Sequence, residues 1–176
     1  DIRRIRSTLS ERGIVSGMAV SEGVLGVTIT LKSSLLFRSG TDVLAPESAP
    51  LLDSLYRVLS QVTNPVIVTG HTDSVPYEGP PYHSNWALSA ARAAAVVDAL
   101  SARGIDHGRL TAYGMGDQRP LTYNSDAQGR ALNRRVEITI LGDLPKTMDL
   151  EGLDAPRQVP VKTLRYKGYD FSLDEW

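Results

Sequence analysis

The stretch that most constrains this chain is residues 66–93, VIVTGHTDSVPYEGPPYHSNWALSAARA. It opens with Val66, Ile67 and Val68 between Pro65 and Gly70, a short apolar run that reads as a buried strand. The strand delivers His71, Thr72 and Asp73 to its carboxyl end. Residues 74–84 follow with Pro76, Gly79, Pro80 and Pro81, too rigid and too aperiodic for an element. Ser84 then stands at the N-cap of an alanine-rich helix that begins at Asn85. Asn85, Leu88 and Arg92 lie three and four residues apart, so they share one face of that helix. If the strand end and the helix start are neighbours, Asp73 and Arg92 flank one small pocket. A carboxylate and a guanidinium facing a common space suit a zwitterion, such as the head of an amino acid.

The flanking segments read as further strands and helices. In residues 1–13, Ile2, Ile5 and Leu9 fall at helical spacing and Gly13 is a stop, which predicts a short amphipathic helix. Residues 18–20 and 24–31 are strand-like, with a turn at Gly23 and many β-branched residues. Residues 32–45 are a turn-rich connection containing Leu35, Leu36 and Phe37. Pro46 begins a helix whose inner stripe is Leu52, Leu55, Leu59 and Val62, ended by Asn64 and Pro65. The alanine-rich helix runs to about Arg103 and stops at Gly104; its small side chains let it lie close on a sheet. Residues 109–115 and 134–141 are strands, separated by a turn over 114–120 and a polar loop over 124–131. In the last strand Val136, Ile138 and Ile140 alternate as a half-buried strand requires. Strands alternating with helices predict an α/β sandwich with helices over one face. The texture changes beyond Leu141, so the expected organisation is an N-terminal helix and linker over 1–22, a core domain over 23–141, and an extended tail over 142–176. That tail carries one expected strand near 159–166 and a cluster of aromatics, Tyr166, Tyr169, Phe171 and Trp176.

Charge and composition narrow the function classes. With 19 basic and 20 acidic residues the net charge is −1, which argues for neither nucleic acid nor an anionic membrane as partner. There is no cysteine, so neither a disulfide framework nor a thiolate metal site is available. No apolar run approaches the ~20 residues needed to span a bilayer. The sequence starts abruptly in a charged segment, Asp1 to Arg4, and reads as a piece of a longer protein.

Candidate chemistry divides between binding and catalysis. Asp73 with Arg92 is, by itself, also compatible with an ordinary salt bridge or a capped turn. Arg92, however, falls in the stripe Leu88, Arg92, Val96 and Ala99, which otherwise faces the core. A cation there must be paired or face a polar cavity, because an unpaired buried charge is too costly. The free backbone N–H groups at residues 85–88 sit at the positive end of the helix dipole and favour an anionic group nearby. His71, Asp73 and His83 are of metal-ligand type, but the intervening loop leaves their convergence undetermined, and His71 is more simply a structural residue at a strand end. Ser84 and Ser89 lack a nucleophile elbow. Gly114 and Gly116 are followed by no helix that would make a dinucleotide fingerprint.

Four separated motifs in one order, GHTD at 70–73, SNWALSAARA at 84–93, YGMGDQRP at 113–120 and NRRVEI at 133–138, resemble the OmpA-like peptidoglycan-binding domain over roughly residues 23–141. The long Pro-containing loop and the SNW before LSAARA are most similar to the version found in flagellar-motor stator proteins. The resemblance implies a two-layer sandwich with a βαβαβ core and a mixed sheet. It implies a non-catalytic module that uses no metal or cofactor and binds peptidoglycan. Asp73 and Arg92 then correspond to the pair that grips the diaminopimelate side chain of the stem peptide. Asn85 and Leu88 match pocket residues of the family, and Thr72 is either a pocket neighbour or a local turn former. An arginine of the NRR motif also contributes to the pocket; strand alternation puts Arg134 on the face of Val136 and Ile138 and favours it over Arg135. A stator protein implies a homodimer in the periplasm, joined through an N-terminal membrane region to a membrane-embedded partner subunit. The alternatives are a wall tether of another envelope or secretion complex and, from a different class, a metal-dependent peptidoglycan hydrolase.

Overall fold

The computed structural model describes residues 18–142, 164–166 and 169–171; the helix expected over 1–13 lies outside them, as does Trp176. The chain divides into two units, Asp1–Leu144 and Pro145–Trp176.

The first unit is built on a five-stranded mixed sheet. Strands β1 (Met18–Gly23) and β2 (Gly26–Lys32) form an antiparallel hairpin. Helix α1 (Ala49–Leu59), strand β3 (Val66–His71), helix α2 (Asn85–Ala102) and strand β4 (Leu110–Gly114) follow, then helix α3 (Ala127–Asn133) and strand β5 (Arg135–Leu141). The strand order is β1-β2-β5-β3-β4. The last strand is thus inserted in the middle, antiparallel to both β2 and β3. Strands β3 and β4 are parallel, so α2 serves as the crossover that a parallel pair needs. The α/β sandwich with helices over one face is what the alternation of elements predicts, and the mixed sheet is what the family resemblance implies.

Side-chain alternation decides the layers. Val27, Ile29, Leu31, Val66, Val68, Val136, Ile138 and Ile140 are all buried in one cluster with Leu52, Leu55 and Leu59 of α1 and Ala93, Val96 and Leu100 of α2. The intervening residues Thr28, Thr69, Glu137 and Thr139 take the opposite face. Helix α2 lies unusually close to the strands because two glycines admit it. A Cβ at Gly70 would sit 2.1 Å from the Ser89 carbonyl oxygen, and one at Gly114 would sit 2.5 Å from the Ala90 nitrogen. Gly70 and Gly114 are hydrogen-bond register partners on β3 and β4, so the close approach falls at the carboxyl ends of both strands.

Three boundaries differ from expectation. Residues 46–48 make a single 3-10 turn before α1, and α1 ends at Leu59 rather than near Asn64 because the chain tightens there, the Gln61 N–H bonding back three residues to the Val58 carbonyl at 3.2 Å instead of four. Residues 124–131 are not a polar loop throughout, since α3 starts at Ala127. Its N-cap Asp126 accepts from the Gly129 N–H at 2.6 Å. Gly129 interrupts any sequence periodicity there, yet no larger residue fits: its Cβ would lie 2.1 Å from the Tyr123 oxygen. Finally, Arg134 closes α3 with ψ 91°, so the last strand begins at Arg135.

The second unit contains an antiparallel hairpin of β6 (Leu164–Tyr166) and β7 (Tyr169–Phe171). β6 falls at the end of the strand expected near 159–166, β7 lies beyond it, and residues 159–163 lie outside those described.

Candidate ligand site at the carboxyl end of the sheet

Asp73 leaves the end of β3 and is buried, with 8% of its surface exposed. Its Oδ1 accepts from the Val75 N–H at 3.1 Å, and its Oδ2 accepts from Arg134 Nη1 at 2.5 Å. The turn that carries it is held from three sides. The Thr72 N–H donates to the Gly116 oxygen at 2.9 Å. The Ser74 N–H donates to Asn124 Oδ1 at 3.3 Å. Asn85 commits its whole amide to the same turn: Nδ2 donates to the Asp73 and Val75 carbonyls at 3.3 and 3.0 Å, while Oδ1 accepts from the Tyr77 N–H at 3.1 Å. Asn85 therefore positions Asp73 through its side chain. Ser84 caps α2 by accepting from the Ala87 N–H at 3.1 Å, and Leu88 is buried one turn on.

Arg92 stands almost two turns further along α2 and is only 5% exposed. Its Nε donates to the Thr41 carbonyl at 2.8 Å, and its guanidinium carbon lies 5.4 Å from the centre of the Phe37 ring, within cation–π range. Among the described residues no carboxylate reaches it at salt-bridge distance. Burial is the first cause that lowers its basicity; the nearby Arg134 charge adds to this, while Tyr82 and Asp42 oppose it. The guanidinium faces a recess of about 370 Å³ lined by Ser33, Phe37, Arg38, Ser39, Arg92 and Arg134, among others. Ser33 is buried there with a hydroxyl that has no partner among the described residues.

The sequence residues thus come together, but with a different pairing. Asp73 does not form its ion pair with Arg92. Arg134 joins the two halves, bonding Asp73 at one end and lining the recess beside Arg92. Sequence inspection missed Phe37 and Thr41 altogether. They lie more than 50 positions before Arg92, in a segment that reads only as turns, and a buried arginine signals its need for partners without saying where they come from. Thr72 is buried with its hydroxyl unpartnered among the described residues. Trp86 is 52% exposed, its ring beside the backbone of Gly116.

A second charged group lies on the other face of the sheet. Arg135 is buried and donates from Nε to Glu137 Oε1 at 2.7 Å and from Nη2 to the Arg119 carbonyl at 3.0 Å. His71, also buried, places Nε2 3.5 Å from Glu137 Oε2. The His71 imidazole, followed by Arg135, holds the Glu137 carboxyl down at about 2, against burial, which acts to raise it. His71 faces Glu137 with neither ring nitrogen hydrogen-bonded among the described residues, whereas His83 is exposed on the loop. Among the described residues no three His, Asp or Glu side chains gather as a metal set.

A fold of this order, with this turn and these motifs, defines a class. The OmpA family model matches residues 36–134, and the chain belongs to the OmpA family. It is 38% identical over 125 residues to Motility protein B of Bacillus subtilis, covering 69% of this chain and 46% of that protein. Among solved structures it is similar to the cell wall anchor of the T6SS from Pseudomonas aeruginosa, with a TM-score of 0.75 and 38% identity over 81% of this chain and 100% of that one. It is also similar to a putative MotB like protein from Desulfovibrio vulgaris, with a TM-score of 0.73 and 28% identity over 79% of this chain and 90% of that one. The chain spans about half the length of the curated relatives it matches. No helix among the described residues is long and apolar enough to cross a membrane.

Proposed function

We propose that this chain is a non-catalytic peptidoglycan-binding module that anchors an envelope complex to the cell wall. The observation that carries the proposal is Arg92: a buried guanidinium without a carboxylate partner among the described residues, facing a recess beside the Asp73–Arg134 pair. An arginine in that position gains from an anionic guest far more than a solvated one does, because the guest repays a desolvation cost already incurred. The carboxylate of a diaminopimelate head meets Arg92 in the bidentate geometry that guanidinium favours. Its ammonium exchanges into the Asp73 carboxylate alongside Arg134. Asn85 and Thr72 fix the turn that aims Asp73, and Leu88 is the apolar floor beneath it. Holding a wall peptide needs no bond made or broken, so none of these groups has to act as an acid, base or nucleophile.

The complex best supported is a flagellar stator. Likeness to Motility protein B and to a MotB like protein supports a periplasmic, homodimeric tether of an inner-membrane protein, working with a membrane-embedded partner subunit. A second reading has its own support: likeness to a T6SS cell wall anchor over the whole length of that chain favours a secretion complex as the cargo. Deleting the gene separates them, since a stator role predicts loss of swimming with secretion intact.

The site itself is tested by co-sedimentation with purified sacculi. Asp73→Ala and Arg92→Ala should each stay folded by circular dichroism and remain in the supernatant, while the unaltered chain pellets. Undiminished pelleting of both variants would falsify the site.

A further inference from the structure

Around the recess three guanidiniums meet two carboxylates. Arg38, Arg92 and Arg134 line it. Asp73 is bonded to Arg134, and Asp42, the other nearby carboxylate, offsets part of the burial of Arg92 and, after burial, helps to push the Tyr82 phenol up. One positive charge is left over. A zwitterionic head, with no net charge, does not neutralise it, whereas a guest carrying one further carboxylate does.

The group free to meet that carboxylate is Arg38, which nothing above assigns to the ligand. Its backbone holds the loop together: the N–H donates to the Val43 carbonyl at 3.0 Å, and the carbonyl accepts from the Thr41 N–H and hydroxyl at 3.2 and 3.1 Å. Its side chain is exposed and has no partner among the described residues. It stands on the same short loop as Phe37 and Thr41, the two residues that seat Arg92. The loop thus aligns one buried and one exposed guanidinium along a single recess.

We propose that Arg38 binds a second carboxylate of the guest, so that the site prefers stem peptides ending at the diamino acid over stems that continue beyond it. In a stem that ends there, the main-chain carboxylate of the diamino acid is free. In a longer stem the same carbon is an uncharged amide, and the free carboxylate is moved one residue further along, out of line with a guanidinium set on the same short loop that seats Arg92. This selectivity rests on the wall-ligand reading. Its size is set by the exposure of Arg38, since a solvated ion pair supports only about a three- to fivefold difference in affinity.

Isothermal titration calorimetry on the chain, with purified diaminopimelate tripeptide and tetrapeptide muropeptides, tests this directly. The unaltered chain should bind the tripeptide about three- to fivefold more tightly. Arg38→Ala, whose exposed side chain makes no hydrogen bond or ion pair among the described residues, should melt at the same temperature and bind both muropeptides with the affinity of the unaltered chain for the tetrapeptide. Equal affinities in the unaltered chain, or a preference that survives Arg38→Ala, would overturn the inference and leave wall binding standing. Binding to neither muropeptide would overturn both.

Discussion

Glu137 illustrates how a single residue's partners set a measurable pH dependence. Its carboxyl titrates at about 2 when folded, against 4.5 for the free side chain, first because of His71 and then because of Arg135. A depressed folded value means that the unfolded chain binds the proton more readily. The stabilisation is therefore complete above pH 4.5 and is lost as pH falls toward 2, worth on the order of 2–3 kcal/mol for a mostly buried group. In urea unfolding between pH 6 and pH 2, Glu137→Gln should remove that part of the acid-induced loss and lower stability at pH 6. An unchanged acid limb in the variant would show that the carboxyl is not held down. At the level of residues, Arg92 was legible because a cation in an apolar helical stripe demands an explanation. Its partners Phe37 and Thr41 were not, and neither was the Asp73–Arg134 bond, which joins groups 61 positions apart. Strand alternation selected Arg134 over Arg135, but the physical reason for its orientation is that it ends α3 and never enters β5.

Elements declared themselves where one period ran unbroken. The β3 strand and the capped, alanine-rich α2 were visible from apolar runs and an N-cap serine, and so was the alternation of β5. Helix α3 was invisible because Gly129 and a string of polar residues mask its single face. The insertion of β5 between β2 and β3 could not be read from spacing, since pairing partners leave no local trace. What brings these elements close enough to form the site is Gly70, where β3 touches the backbone of α2. Gly70→Ala would drive a methyl group into the Ser89 carbonyl, a contact with backbone that no rotamer change relieves. It should cost at least about 2 kcal/mol and weaken ligand binding by shifting α2, and with it Arg92, away from the sheet. Gly23→Ala, with nothing within 4 Å, should change stability by less than about 0.5 kcal/mol. Equal urea midpoints for the two variants would mean that the close packing of α2 is dispensable.

Taken whole, the molecule is almost neutral, with 19 basic and 20 acidic residues, so it has no long-range charge to adhere to a polyanionic wall. Retention on the wall, as proposed, would then come from a place where charge is partly withdrawn from water yet open to a guest, as it is around Arg92 and Arg134 in the recess. Salt separates the two possibilities. Exposed charges are screened beyond about 10 Å at 0.1 M salt and about 3 Å at 1 M, whereas a guanidinium buried as deeply as Arg92 keeps most of its attraction for a guest in contact with it. Raising sodium chloride from about 0.05 M to about 0.5 M should therefore lower the affinity for sacculi by no more than about tenfold, mainly through the exposed Arg38 and Arg134. Non-specific adhesion would vanish over the same range. If the chain is released completely at the higher salt, with its fold unchanged by circular dichroism, the wall is held by surface charge and the recess around Arg92 is not the anchor.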